Sequence, residues 1–308
     1  MIVSTAIMRA IAESHPGIEL DVLASPANVS VLDGAGYVRK AIVFDKRDAT
    51  SYPAMARRLR AERYDAVIDC MVTAPSVTTL LLMLATNAPY RVGIAGRGND
   101  EAINVSVPPA GGEQLMAIEL GALAAAFGVD PSTRDWRPEL VVSPQMREDA
   151  AMRWRTIGDG TGQRVLVNVS AGAASRQWQT DKYAAVVAHI RRRMPTAAVL
   201  VTGAPTEWDR VEDIAETSGA TPATTPSLAS VFALVATADF VFTPETSIVH
   251  SASAFRRPAV ALYRRTESRR WGLHPDFGEN VEHTEDTLHT LDVAPVFAAI
   301  DRVLARRR

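Results

Sequence analysis

From end to end this chain alternates apolar runs of strand length with segments whose apolar residues recur at the helical period, and that alternation limits the fold more than any other feature. Strand-length runs fall at 18–23, 40–44, 65–69 and 90–94 in the first half and at 164–168, 197–202, 240–243 and 259–263 in the second. Continuous apolar runs of this kind suit strands covered on both faces, so the pattern predicts α/β domains with parallel sheets. Helical periodicity fills the gaps at 5–14, 51–62, 76–87 and 113–127, the last stopped by Gly128, and then at 181–193, 206–218, 227–236, 247–255 and 293–304. Between the halves, VDPSTRDWRPELVVS at 129–143 carries two prolines and little period, which predicts a linker, with helix resuming near Gln145. A chain of 308 residues exceeds the usual single core, and the linker divides it into expected domains 1–141 and 142–308. The first half opens on a helix, because Met1 to Val3 is too short for the central strand with which a doubly wound domain begins. The basic tail Arg306 to Arg308 reads as a solvated helix end.

Composition removes several function classes. A formal net charge of −2 gives no electrostatic footprint for nucleic acid, so anion binding has to be local. The longest apolar run, TTLLLMLA at 78–85, is too short to span a bilayer, and the first ten residues lack the basic region and cleavage site of a signal peptide. A single cysteine, Cys70, excludes an internal disulfide and a cysteine-based zinc cluster, and with these features predicts a cytoplasmic protein. No histidine pair has metal-ligand spacing, so no metal is expected. Neither G-x-G-x-x-G nor G-x-x-x-x-G-K-[ST] occurs, which disfavours a nicotinamide cofactor or P-loop nucleotide, and no cofactor is expected.

Polar loops at strand ends carry the chemistry. After the strand at 164–168, Ser170, Ala171 and Gly172 are small enough for a ligand to approach the backbone, and Arg176 follows with a forked donor suited to a diphosphate or to a surface position beside Trp178. In TGAPTEW at 202–208, Gly203 permits a sharp turn, and Glu207 suits either ribose hydroxyls or the dipole of the helix it opens. The richest loop lies in DFVFTPETSIVHSASAFRRPAVAL at 239–262, where Thr243, Glu245, Thr246 and Ser247 gather hydroxyls, a carboxylate and the N–H groups of a helix start, with His250 one turn on. Trp178 and Trp271 suit stacking on a base or sugar as well as core packing, and Arg264, Arg265, Arg269 and Arg270 form a basic loop that would suit an anionic acceptor.

SAG-x-x-x-RQW at 170–178, GAPTE at 203–207 and TPETSIVHSASAFRRPAVALY at 243–263 resemble glycosyltransferase family 9, the ADP-heptose:lipopolysaccharide heptosyltransferases. RRWGL at 269–273, MRAIAESHPGIELDVLASP at 8–26 and YRVGI at 90–94 extend the resemblance over nearly the whole chain. It implies the GT-B architecture, two Rossmann-like domains facing across a cleft, and a metal-independent, inverting transfer of a heptose-like sugar from a nucleotide diphosphate to a lipopolysaccharide or related glycan. The partners implied are that donor, that acceptor and the inner membrane, touched peripherally on its cytoplasmic face. Arg176 would meet the donor diphosphate, Glu207 the adenosine ribose, and Glu245 the donor sugar, while Thr246, Ser247 and His250 would hold phosphate. Glu245 stands where the family commonly has aspartate, and Ser247 where it has glycine. The family's general base is an aspartate in a Gly-Asp loop after a first strand, ahead of the helix that begins here near Thr5, so no base is named for this chain. A nucleotide-sugar-binding partner subunit is the alternative reading, and an epimerase of the same fold is a weaker one.

Overall fold

The computed structural model describes residues 1–71, 76–157 and 162–306, so Arg307 and Arg308 of the basic tail lie outside them. The chain forms two compact units, Val3–Pro138 and Glu139–Arg308. In the first, β1 (Leu20–Ala24) and β2 (Val38–Val43) form one parallel pair. Strands β3 (Ala66–Ile68), β4 (Tyr90–Ile94) and β5 (Val105–Val107) form a second parallel sheet. Among the described residues no ladder joins β1 to β3.

The second unit is one sheet of six parallel strands: β6 (Arg164–Asn168), β7 (Ala198–Thr202), β8 (Thr221–Ala223), β9 (Phe240–Pro244), β10 (Ala259–Arg264) and β11 (Gly278–His283). Their spatial order is β11-β10-β9-β6-β7-β8. Successive side chains of a strand point to opposite faces. Val165, Val167, Val199, Val201, Phe240, Phe242, Val260 and Leu262 accordingly share one core with Tyr183, Val186, Val187 and Ile190 of the helix Thr180–Arg193, with Val211 and Ile214 of the helix Trp208–Ser218, and with Val296, Ile300 and Val303 of the helix Val293–Ala305. Trp178 lies at the centre of this core, 1% exposed, edge-on to Tyr183, with its indole N–H donating to the Leu291 carbonyl at 2.8 Å. It is therefore a packing residue and not a stacking platform for a ligand.

Three expectations are corrected. Strands β5, β8 and β11 are absent from the sequence reading, and each lies at the edge of its sheet. The expected helix at 113–127 is α-helical only over Met116–Gly121 and continues as a 3-10 helix over Ala122–Phe127. Gly128 ends it at φ 72°, the left-handed cap expected of that residue. The segment at 129–143 is no free linker: Val129, Trp136, Leu140 and Val142 are buried, and the Trp136 ring lies so close over Gly121 that a Cβ there would come within 2.5 Å of it. Burying an indole outweighs the lack of period, and one compact unit ends at Pro138 where the other begins at Glu139.

Because Trp178 combines full burial with a satisfied indole N–H, Trp178→Ala is expected to lower the unfolding free energy of the second unit by about 3–5 kcal/mol, read as a shift in its urea transition.

Candidate functional site

Strand β6 pairs with β7 on one side and β9 on the other, so the chain leaving β6 and the chain leaving β9 part in different directions. A crevice outside the carboxyl ends of the strands is the result, the place where open α/β sheets bind ligands. It is a cavity of about 620 Å³, walled by the loops after β6, β7, β8 and β9 and by Trp271 beyond β10.

One buried amide organises those loops. Asn168, 1% exposed at the end of β6, donates from Nδ2 to the Thr243 hydroxyl at 2.9 Å and to the Thr246 hydroxyl at 3.4 Å, and its Oδ1 accepts the Ser170 N–H at 3.2 Å. Ser170 in turn accepts the Ala204 N–H on its hydroxyl, and Glu207 accepts the N–H groups of Ala171 at 3.4 Å and Ala204 at 3.3 Å. Three strand ends are thus tied by side chains, which holds the cavity's backbone donors in place. Gly203 has no room for a side chain, since a Cβ there would lie 2.8 Å from the Val211 side chain.

Of the residues singled out in the sequence, Ser170, Ala171, Gly172, Arg176, Gly203, Glu207, Glu245, Thr246, Ser247 and His250 all line this cavity, together with Trp271. Thr243 does not: fully buried behind the wall, it donates to the Pro244 carbonyl and braces Asn168 and Thr246. Glu207, expected in the first turn of a helix from 206, instead closes a 3-10 turn, Pro205–Glu207, just ahead of the helix Trp208–Ser218, and both its oxygens bind loop amides. Thr246 caps the helix Ser247–Ala254 through a hydroxyl that accepts the Ile248 N–H at 3.3 Å. The preceding N–H groups, those of Thr246 and Ser247, make no hydrogen bond among the described residues. Two unengaged donors at a helix start form an anion site. His250, on the next turn, stands edge-on to Trp271 with ring centroids 6.1 Å apart, and burial pushes its imidazole down to about 4, so at pH 7 it is neutral.

Arg176 is already engaged by carboxylates. Its Nη2 lies 3.1 Å from Glu245 Oε1 and 3.8 Å from Glu267 Oε1, and Arg264 pairs with Glu267 at 2.7 Å. Burial above all, and then the neighbouring Glu267 carboxylate, push Glu245 up to about 7 against the pull of Arg176. Of the expected basic loop, Arg264 thus turns inward to Glu267 and Arg265 pairs with Asp286 at 2.5 Å, which leaves Arg270 as an exposed cation there.

The lining residues missed in the sequence are Asn168 and the wall Thr225, Pro226, Ser227, Leu228 and Val231, and behind the lining so is Glu267, which reaches Arg176. A polar residue closing the apolar run RVLVN was the available signal for Asn168. Among the described residues no group of His, Cys, Asp or Glu is arranged to hold a metal ion. In the first unit Asp69, 1% exposed after β3, is a buried carboxylate that accepts the Met71 N–H and the Asn99 amide, each at 3.0 Å.

The model of glycosyltransferase family 9 (heptosyltransferase) matches residues 53–292. No curated protein matches the chain by sequence. A family 9 glycosyl transferase from Veillonella parvula DSM 2008 superposes with a TM-score of 0.84 at 16% identity, over 99% of this chain and 93% of that one. The E. coli ADP-heptose lps heptosyltransferase II gives 0.76 at 18% identity, over 100% and 96%. E. coli heptosyltransferase WaaC with ADP gives 0.71 at 17%, over 97% and 96%. At these identities the likeness is one of fold, α/β with parallel sheets, as in GT-B enzymes.

Glu245 makes stability depend on pH in a defined window. Between its ordinary value of 4.5 and about 7 the folded chain keeps a proton that the unfolded chain has lost, so stability falls as pH rises through that range and levels off above it. Urea unfolding between pH 5 and 8 is expected to show a shallower decline in Glu245→Gln than in the parent.

Proposed function

The chain belongs to glycosyltransferase family 9, and on that premise we propose that it moves a heptose-like sugar from a nucleotide diphosphate to a hydroxyl of a lipopolysaccharide core or related glycan in the cytoplasm. The observation that carries the reading is the pair of unengaged N–H groups at Thr246 and Ser247 in the same cavity as Arg176, whose guanidinium lies 3.1 Å from the adjoining Glu245. A diphosphate held there would meet both a helix N-terminus and a guanidinium. The apolar wall of Pro205, Pro226, Leu228, Val231 and Ile248 supports a nucleobase beyond the phosphates, and 620 Å³ is within the usual range for a ligand of nucleotide-sugar size. ADP is the first nucleotide to try, since the solved WaaC holds it.

The reaction is a single displacement. An acceptor oxygen forms a bond to the anomeric carbon as the bond from that carbon to the diphosphate oxygen breaks, and the configuration inverts. The leaving diphosphate keeps the electron pair, and the developing charge is stabilised by the Thr246 and Ser247 N–H groups, the helix dipole and Arg176, with no metal required. The acceptor's proton passes to a base that is not among the residues assigned here. Glu207, held by the Ala171 and Ala204 amides, keeps lone pairs that suit a ribose hydroxyl.

For the acceptor side we propose a peripheral contact with an anionic bilayer. Val77, Leu81 and Leu84 are 72%, 57% and 48% exposed on one face of the helix Val77–Ala85. Packed beside it through Met55, Leu59 and Leu82, the helix Tyr52–Ala61 exposes Arg57, Arg58 and Arg60, which form no ion pair among the described residues. Apolar side chains flanked by arginines match an anionic lipid surface. No described helix is long and apolar enough to cross a membrane.

Arg176→Ala is expected to weaken ADP binding about tenfold to a hundredfold by titration calorimetry, the worth of a lost charge-assisted pair. Absence of ADP and ADP-heptose binding to the parent would overturn the donor reading, and binding with no transfer to any glycan acceptor would favour a non-catalytic partner subunit. The double variant Val77→Asp with Leu81→Asp is expected to abolish co-sedimentation with phosphatidylglycerol vesicles and to leave ADP affinity unchanged.

A further inference from the structure

Four charged side chains delivered by three separate loops converge behind one corner of the second unit's cavity, where Arg176 and Glu245 line the wall and Arg264 and Glu267 back them. Arg176 comes from the 3-10 turn Ala174–Arg176 after β6, Glu245 from the loop after β9, Arg264 from the end of β10, and Glu267 from the turn just beyond it. Two carboxylates flank one guanidinium, since Arg176 Nη2 is 3.1 Å from Glu245 Oε1 and 3.8 Å from Glu267 Oε1. Arg264 holds Glu267 at 2.7 Å and is itself fixed by the Ser175 hydroxyl at 2.9 Å and the Asp286 carbonyl at 3.2 Å. The arrangement leaves polar atoms over. Glu245 Oε2, Glu267 Oε2, Arg176 Nε and Arg264 Nε are all buried with no hydrogen-bond partner.

Leaving a charged group unsatisfied inside a protein is costly, and two ionised carboxylates in contact repel strongly. One proton between them removes both costs at once. Glu245 is the residue pushed up, to about 7, while Glu267, although burial opposes it, is lowered by its hydrogen bond to Glu245 and by the arginines. The extra methylene by which Glu245 exceeds the family's aspartate extends its carboxyl toward Glu267.

We infer that Glu267 is a second carboxylate of the donor site: it shares one proton with Glu245, so that the pair meets a diphosphate with a single negative charge and binds the proton more tightly once the diphosphate has drawn Arg176 away. With the proton, the corner carries two guanidinium charges against one carboxylate and attracts an anion. Without it, the corner is neutral. When Arg176 turns from Glu245 to the diphosphate, Glu245 loses its counter-charge and the carboxyl form is favoured further, so donor binding takes up a fraction of a proton. The neutral carboxyl then offers an O–H to a donor oxygen where a carboxylate would repel the phosphates. Glu267 acts through Glu245 and is a positioning residue.

The other described groups near this corner are held by partners or by burial. Burial raises the Tyr263 phenol well above its usual value, and its hydroxyl donates to the Trp271 carbonyl at 2.7 Å. His250 is already neutral, Glu282 accepts the Ser268 hydroxyl, Asp286 pairs with Arg265, and the arginines keep their protons.

The inference rests on the donor reading above, and calorimetry with ADP separates the two. Heats of ADP binding to the whole protein near pH 7.5, measured in two buffers of different ionisation enthalpy, are expected to show net proton uptake that is lost in Glu267→Gln. Between pH 6.5 and 8.5 the parent's affinity is expected to fall by about threefold to tenfold more than the variant's, given that one unit of pKa shift is a tenfold change. ADP's own phosphate titrates alike in both proteins, so the difference between them is the readout. Glu267→Asp, which shortens the reach, is the second variant should Glu267→Gln not fold, and it is expected to lose the uptake too. Equal uptake in parent and variant with ADP bound to both overturns this inference alone; no ADP binding to the parent overturns the donor reading and this inference with it.

Discussion

The hydrogen bond from the Asn168 amide to the Thr243 hydroxyl, 2.9 Å long and out of reach of water, joins the ends of the two strands between which the sheet changes direction. Parallel strands deliver their carboxyl ends to one side, and at a switch point the loops that follow must separate. Unless something ties the strand ends together, the N–H groups exposed by that separation have no fixed position. Asn168 supplies the tie: it holds the Thr246 hydroxyl that caps the helix behind it, fixes the Ser170 turn and, through Ser170, reaches the loop after β7. Both anion-facing N–H groups and the glutamate opposite them take their positions from this network.

The fold was legible where strands are covered on both faces. β6, β7, β9 and β10 are buried along nearly their whole length, and a residue that must be apolar on either side writes itself as an unbroken run. Edge strands carry no such demand. β8 is the tripeptide Thr221–Ala223, and β11 alternates charged and buried positions in GENVEH. Both were read as loop for that reason. The Val129–Val142 stretch misled in the opposite sense: its prolines and charges suggested a spacer, while one tryptophan was enough to bind it down.

The candidate site was legible to the extent that its residues follow directly on apolar runs. Ser170, Gly172, Gly203, Glu245, Thr246 and Ser247 are all read from the few positions after a strand, and all of them line the cavity. Glu267 and the wall from Thr225 to Val231 were not, because they arrive through tertiary folding. Glu267 is turned back toward Arg176 by a loop in which Arg265 adopts a positive φ of 43°, and the wall follows an edge strand too short to announce itself. Arginine content alone was also misleading. Arg264 and Arg265 looked like a surface for an anion, whereas both are committed to carboxylates of the same unit.

The proline in β8 bears on how molecules of this protein meet one another. Pro222 pairs with Val201 on the inner side, but it has no N–H to offer a further strand on the outer side. At the other end of the sheet, β11 carries Glu279, gripped by Arg302 at 2.6 Å and Arg306 at 2.7 Å, so that margin is covered by side chains of the closing helix. An open sheet with one margin short of a donor and the other screened by ion pairs is a poor template for edge-to-edge growth. At high local concentration the second unit's sheet is therefore directed away from strand-mediated aggregation.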